Sequence, residues 1–209
     1  MTVHAGRLVA VSGIDGSGKS TLLDGLAAVL RGRGHRVVTV AALKPAATSP
    51  LPWLKQIPVG PDSRGPVEQW IAGYFTLVLL DNAATVVRPA LEAGAWVLAD
   101  RWVLDHIANQ GAFGVDLEPW RTLLPSVPRP DVHFLIDVPA GIAGERIARR
   151  STDPGVGAGE AFLSRCARLM RSEASEATVT VLDGTAPPED VLSAAVAALD
   201  LSTAAREAT

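Results

Sequence analysis

Three observations predict an α/β fold built on a parallel sheet. Short apolar runs alternate with longer amphipathic stretches along the chain. The runs carry few polar residues, as strands covered on both faces require. The first of them, Leu8-Val9-Ala10-Val11, passes through a glycine-rich turn into a helix-period pattern. The expected architecture is a three-layer α/β/α domain with a central five-stranded parallel sheet, spanning residues 1–209 as a single unit.

The first strand is Leu8 to Val11, and the first helix runs from Ser20 to Arg31 with apolar positions at Leu22, Leu23, Leu26, Val29 and Leu30. Gly32 and Gly34 stop it. Arg36 to Val40 is β-branched enough for a second strand, which completes a right-handed βαβ unit. Between Lys44 and Pro66, Pro45, Pro50, Pro52, Pro58, Pro61 and Pro66 predict an irregular segment. Val67 to Leu91 reads as one or two buried helices closed by Gly94, and Trp96 to Ala99 as a third strand ending at Asp100-Arg101. Short helices are expected at Leu104–Gln110 and Pro119–Leu124, then a fourth strand at Val132–Asp137 and a helix at Ala140–Arg150. A glycine-rich stretch, Asp153 to Gly159, precedes a helix from Glu160, a strand at Thr178–Leu182 and a last helix at Val191–Leu199. The alanine-rich tail after Leu201 is expected to fray.

Composition narrows the function. The 209 residues are 48% hydrophobic and carry a formal net charge of −3, which gives no general attraction to nucleic acid polymers or anionic membranes. The single cysteine, Cys166, rules out an intrachain disulfide framework and fits a reducing, cytoplasmic setting. Met1 to Arg7 lacks the pattern of a signal peptide, and the apolar run Tyr74 to Leu80 is read as core. The four histidines, His4, His35, His106 and His133, show no metal-ligand spacing.

Gly13-Ile14-Asp15-Gly16-Ser17-Gly18-Lys19-Ser20 matches G-x-x-x-x-G-K-S between a strand and a helix, the context a P-loop requires. Its backbone amides, from Gly13, Asp15, Gly16, Ser17 and Gly18, would cradle nucleotide phosphates at a helix N-terminus. Lys19 would reach the β- and γ-phosphates of ATP, Ser20 would offer its hydroxyl to Mg²⁺, and Thr21 would lie near the α-phosphate. Asp15 inside the loop also reads as a turn-stabilising residue. Asp100 and Arg101, at a strand's C-terminal end, point to the ligand side. The motif alone leaves kinases, GTPases and nucleotide-binding regulators open, although the absence of an Asn-Lys-x-Asp segment disfavours a guanine-specific GTPase.

Four segments resemble the thymidylate kinase family of nucleoside monophosphate kinases. They are Gly13 through Leu22; Val87-Arg88-Pro89-Ala90-Leu91 through Gly94 to Asp100-Arg101-Trp102; Ala108-Asn109-Gln110-Gly111; and Pro130-Asp131 through Phe134-Leu135-Ile136-Asp137 to Arg146, Arg149 and Arg150. The resemblance implies phosphoryl transfer from ATP and Mg²⁺ to a small nucleotide acceptor. It implies Asp100 near Mg²⁺, and acceptor contacts at Asp15, Phe75, Asp100, Arg101 and Gln110. Since this P-loop has no arginine, it also implies a catalytic cation from a lid of about residues 149–160, with Arg146, Arg149 and Arg150 as candidates and Arg149 and Arg150 favoured; Lys19, Asp15 and Arg101 complete the implied catalytic set. A homodimer through the helices of Val67 to Leu91 is implied too.

The chain departs from that family in several places. The family's Arg-Glu-Pro-Gly turn reads Leu43-Lys44-Pro45-Ala46, and a usual acceptor-binding arginine is Leu79. Trp102 stands where tyrosine is usual, Asp105 where serine is usual, and Asn109 where a tyrosine often lies against the sugar. Lys44 or Arg64 could supply the lost positive charge. A smaller Asn109 leaves room for a larger sugar substituent, so an acceptor other than plain thymidylate is one expectation. A kinase of another small metabolite and a non-catalytic nucleotide-binding regulator are the remaining ones.

Overall fold

The computed structural model describes residues 6–45, 64–150, 159–176 and 178–207. Five strands, β1 (Arg7–Ser12), β2 (Val37–Ala41), β3 (Trp96–Asp100), β4 (Val132–Asp137) and β5 (Thr180–Asp183), form one sheet in the order β2-β3-β1-β4-β5. All four pairings are parallel. In register, Val11 of β1 stands beside Asp100 of β3 and beside Phe134 of β4, and Ala41 of β2 stands beside Asp100. The carboxyl ends of the inner strands therefore finish at one level.

Every residue of β1 is buried, because helices cover both faces. On one face, α1 (Lys19–Gly32) lays Leu22, Leu26 and Leu30 against Val9, Val11 and Phe134, and α8 (Pro188–Glu207) adds Ala195 and Leu199. On the other face, Leu8, Ala10, Val97 and Ala99 meet Leu79 of α2 (Arg64–Asn82), Val87, Ala90 of α3 (Arg88–Glu92), and Trp102. The same face continues through α4 (Val103–Ala112), α6 (Ala140–Arg150) and α7 (Glu160–Glu176), where Leu104, Ala108, Ala143, Leu163 and Met170 enclose Leu135. A short helix, α5 (Glu118–Arg121), and a 3₁₀ turn at Leu124–Ser126 lead into β4. The helix after β1 and the helix after β3 thus lie on opposite faces. Parallel sheets bind ligands at the carboxyl edge beside such a reversal.

Several expectations need correcting. Helix α2 begins at Arg64 and takes in Pro66, which the first helical turn tolerates because its amide would have no partner there. It is not wholly buried either: Trp70 is 59% and Leu77 56% exposed. Residues Ala83–Val87 form a π turn between α2 and α3, with the Arg88 amide donating to the Ala83 carbonyl. Pro89 follows at once, and the wider turn accommodates a residue that cannot complete the α-helical ladder. Helix α8 continues to Glu207 instead of fraying after Leu201, in keeping with the helix propensity of its alanines. The segment Val67–Glu92 is long and apolar enough to cross a bilayer by composition, yet its Leu79, Ala83, Val87 and Ala90 pack on the sheet. Residues 46–63 and 151–158 of the expected lid lie outside the described residues, as does the Arg64 side chain.

Candidate active site

The loop after β1 is shaped by its glycines. Gly16 has φ +81°, and a Cβ there would stand 2.4 Å from the Ala143 carbonyl oxygen of α6. Gly18 has φ +104° and caps α1, with nothing within 4 Å of the place a Cβ would take. The first position needs glycine for packing as well as backbone, and the second leaves space directly over a helix N-terminus. Ser17 is buried and its Oγ has no hydrogen-bond partner. Ser20 and Thr21 are exposed in the first turn of α1.

Lys19 is only 7% exposed. Its Nζ donates to the carbonyls of Gly13 at 2.8 Å and Ile14 at 2.9 Å, so the ammonium is folded back into the loop. Burial, reinforced by the neighbouring Arg101 cation, lowers its pKa from 10.5 to about 8, against the pull of Asp105, Asp15 and Asp100. Two cations and three carboxylates therefore converge beside an open helix N-terminus.

Arg101 follows β3 with φ +69°, the one positive value among the described non-glycine residues. Its amide donates to the Val11 carbonyl at 3.0 Å, and the left-handed turn brings the side chain over the phosphate loop. There it forms an ion pair with Asp15, which is 58% exposed on the loop rim, and approaches Asp105 at 3.5 Å. Burial disfavours the guanidinium charge, but Asp105, Asp15 and Asp100 more than offset it, and its pKa is raised. Asp100 has a buried Oδ1 without a hydrogen-bond partner.

These features fit ATP and Mg²⁺. An orphaned carboxylate oxygen at Asp100, an exposed Ser20 hydroxyl and a glycine-lined helix end match a cation held mainly by phosphates and one or two side chains. Among the described residues no group of three or more His, Cys, Asp or Glu forms a protein-only metal cage.

A cleft of about 260 Å³ lies against the loop. Gly16, Ser17, Gly18 and Thr21 line it together with Arg146, Arg149 and Arg150 of α6 and Gly184, Ala186 and Pro188 after β5. Arg146 Nη1 reaches the Gly16 carbonyl at 3.4 Å, while Arg149 stands exposed in an ion pair with Glu145 at 3.7 Å. The structure thus groups the P-loop residues with Arg149 and Arg150 on one side, and Asp15, Asp100 and Arg101 on the other. The post-β5 wall was missed from sequence, although the Asp183-Gly184 turn after an apolar strand was a readable signal.

Of the residues expected to contact an acceptor, Phe75 is half-buried on α2 in an edge contact with Tyr74 at 6.1 Å. Gln110 is buried on α4. Leu79 is fully buried in the core, and Lys44 is exposed just past β2. Asn109 Oδ1 accepts from Cys166 Sγ at 3.4 Å, and burial raises that thiol's pKa to about 11. Arg165 Nε donates to the Ala112 carbonyl at 3.1 Å. His106 is buried against the Thr76 hydroxyl at 2.8 Å, and burial lowers its pKa to about 4. Asp105, singled out from sequence only as a departure, has no exposed surface and lies at the centre of the site. It accepts from the Ser12 hydroxyl at 2.5 Å and the Trp102 amide at 3.0 Å.

Comparison with known proteins agrees with this geometry. The thymidylate kinase family model matches residues 11–195. A thymidylate kinase of Xylella fastidiosa (strain 9a5c) is 35% identical over 193 residues, covering 91% of this chain and 88% of its own length. A probable thymidylate kinase of Archaeoglobus fulgidus is 32% identical, covering 88% of this chain and 90% of its own. The Methylobacillus flagellatus thymidylate kinase is 32% identical, with 89% and 93% covered. With the phosphate loop, the Asp100-Arg101 pair and the sheet order in place, this chain belongs to the thymidylate kinase family.

Proposed function

We propose that this protein transfers the γ-phosphoryl group of ATP to a nucleoside monophosphate of the thymidylate type, yielding the diphosphate. The observation that carries the reading is the convergence of Lys19 and Arg101 from two adjacent strand ends, with Asp105, Asp15 and Asp100 close enough to act on both. Phosphoryl transfer demands little covalent chemistry of the protein. It demands in-line placement of two anions and positive charge where the transferring oxygens gather negative charge.

Lys19 exchanges its carbonyl contacts for the β- and γ-phosphates, and the loop amides and helix end hold the rest of the chain of phosphates. Mg²⁺ at Ser20 and Asp100 would supply charge neutralisation between the phosphates. Arg101 holds the acceptor phosphate, with Asp15, Phe75 and Gln110 positioning the nucleoside. Arg149 and Arg150, on the rim of the cleft beside the phosphate loop, supply positive charge to the transferring group. We place this activity in the cytoplasm, in a homodimer formed through α2, whose exposed Trp70 and Leu77 suit a covered face.

A second reading, an acceptor other than plain thymidylate, is favoured by two observations. Leu79 is packed in the core and cannot contact an acceptor, and Asn109 is turned towards Cys166. Incubation with ATP, Mg²⁺ and a panel of ribo-, deoxyribo- and modified monophosphates, with products read by mass, decides between them. Thymidine diphosphate as the main product supports the first reading. Preference for another monophosphate supports the second, and ATP binding without any phosphorylated product leaves a nucleotide-binding regulator.

A further inference from the structure

A fully buried carboxylate persists only where donors and a cation satisfy it. Asp105 meets that condition with groups drawn from three elements. Ser12, the last residue of β1, donates its hydroxyl to Oδ2 at 2.5 Å, and the Trp102 amide donates to the same oxygen at 3.0 Å. The amide of Gly13, the first residue of the phosphate loop, donates to Oδ1 at 3.3 Å, and Arg101 Nη1 lies 3.5 Å from that oxygen. His133 of β4 completes the cluster, its Nε2 standing 2.8 Å from the Ser12 hydroxyl. Since the single Ser12 proton is directed at the carboxylate, His133 is the donor in that contact.

Arg101 is gripped on two sides by different kinds of partner. Asp15 is on the exposed rim of the loop, whereas Asp105 lies beneath with no accessible surface. The outer guanidinium nitrogen Nη2 faces the exposed side with Asp15, and the inner contact to Asp105 runs through Nη1. The left-handed backbone at Arg101 makes this inner contact important, because a residue at φ +69° holds its conformation only under constraint from its surroundings.

We propose that Asp105 is a positioning residue, a buried strut that fixes the start of the phosphate loop and the Arg101 guanidinium in one frame and so sets the donor half of the site against the acceptor half. Its catalytic consequence rests on the kinase reading above; its structural consequence does not.

The test uses Asp105→Asn, Arg101→Ala and the double variant in the full chain. The measurements are acceptor kcat and KM, affinity for a fluorescent ATP analogue, and circular dichroism. Asp105→Asn should lower acceptor kcat/KM by about 10- to 100-fold, the worth of a charge-assisted contact, and weaken the ATP analogue several-fold. At saturating ATP the double variant should turn over no more slowly than Arg101→Ala, because the acceptor-side effect of both changes runs through the same Arg101–Asp105 contact. Losses that multiply overturn the proposal. If wild-type protein phosphorylates no acceptor, the kinase reading fails, and the strut is then judged on the ATP analogue. Undiminished analogue affinity in folded Asp105→Asn overturns it. Should Asp105→Asn not fold, Ser12→Ala removes one tie on the donor side. About threefold weaker analogue binding with unchanged acceptor KM supports the strut, and unchanged analogue binding overturns it.

Discussion

Asp15 and Arg101, 86 residues apart in sequence, form an ion pair across the mouth of the phosphate loop. One is the acidic residue of the glycine-rich motif and the other follows the adjacent strand, so the pair joins the two halves of the site before any substrate arrives. Arg101→Ala should reduce kcat/KM for the acceptor by about 10²- to 10³-fold, the usual worth of a group facing developing charge. Asp15→Asn should raise acceptor KM about tenfold and leave ATP affinity within about threefold. Steady-state kinetics with each substrate varied separately checks both. Equal losses for donor and acceptor in Asp15→Asn would contradict the assignment.

Lys19 predicts a pH dependence. Its pKa of about 8 in the free protein lies below its ordinary 10.5, so the buried charge is a destabilising element. That cost, about 3 kcal/mol, is fully present below pH 8 and fades as pH rises towards 10.5. Nucleotide phosphates favour the charged form, so ATP affinity should fall as pH rises through about 8, by up to tenfold per unit. Titration of a fluorescent ATP analogue between pH 6.5 and pH 9.5 reads this out. Lys19→Ala should bind weakly at every pH and transfer no phosphate, and a sloping profile in that variant would assign the titration elsewhere.

Two glycines of the loop should respond differently to alanine. Gly16→Ala places a methyl against the Ala143 carbonyl at a positive φ, and should cost about 3 kcal/mol of stability. Gly18→Ala meets no protein atom, so its backbone strain alone should cost about 1 kcal/mol. Its methyl enters the space over the helix N-terminus, so ATP affinity should fall at least tenfold in a protein that still folds. Urea unfolding beside analogue binding separates the two effects.

Leu79→Arg would restore the residue usual in the family, yet it should fail as a repair. The side chain is fully buried among Val87, Val97 and Ala99, and an unpaired guanidinium there should destabilise the fold by about 4 kcal/mol or more. Denaturant melts of the variant test this directly. Tighter acceptor binding at unchanged stability would show that the position can open to the site.

The central part of the fold was legible because its signals are local. The apolar run before Gly13, the glycine spacing and the Leu22–Leu30 stripe each lie within one or two turns of chain, and Asp100-Arg101 closes a strand visible from its composition. Asp105 was legible only as an oddity. Its partner Ser12 lies 93 residues away, and no periodicity announces a contact made by folding β1 against the start of α4. The exposure of Trp70 was misread for a related reason: a helix apolar on most sides carries no stripe to say which side is covered. Helix α8 outran its expected end because alanine carries no stop signal, only propensity.

The alignment of Val11 with Asp100 across neighbouring parallel strands has a consequence for how such a chain can vary over time. Loops on either side of the sheet can lengthen, shorten or exchange residues, as the Leu43-Lys44-Pro45-Ala46 turn does, without disturbing the catalytic level. A single residue gained or lost inside β1 or β3 is different. It would move one strand end by about 3.3 Å relative to its neighbour, and a change inside β3 would turn Asp100 to the opposite face. The turns beyond the strands are therefore free to drift in this scaffold, whereas strand length is held fixed by the need to keep Lys19 and Arg101 at one level of the sheet.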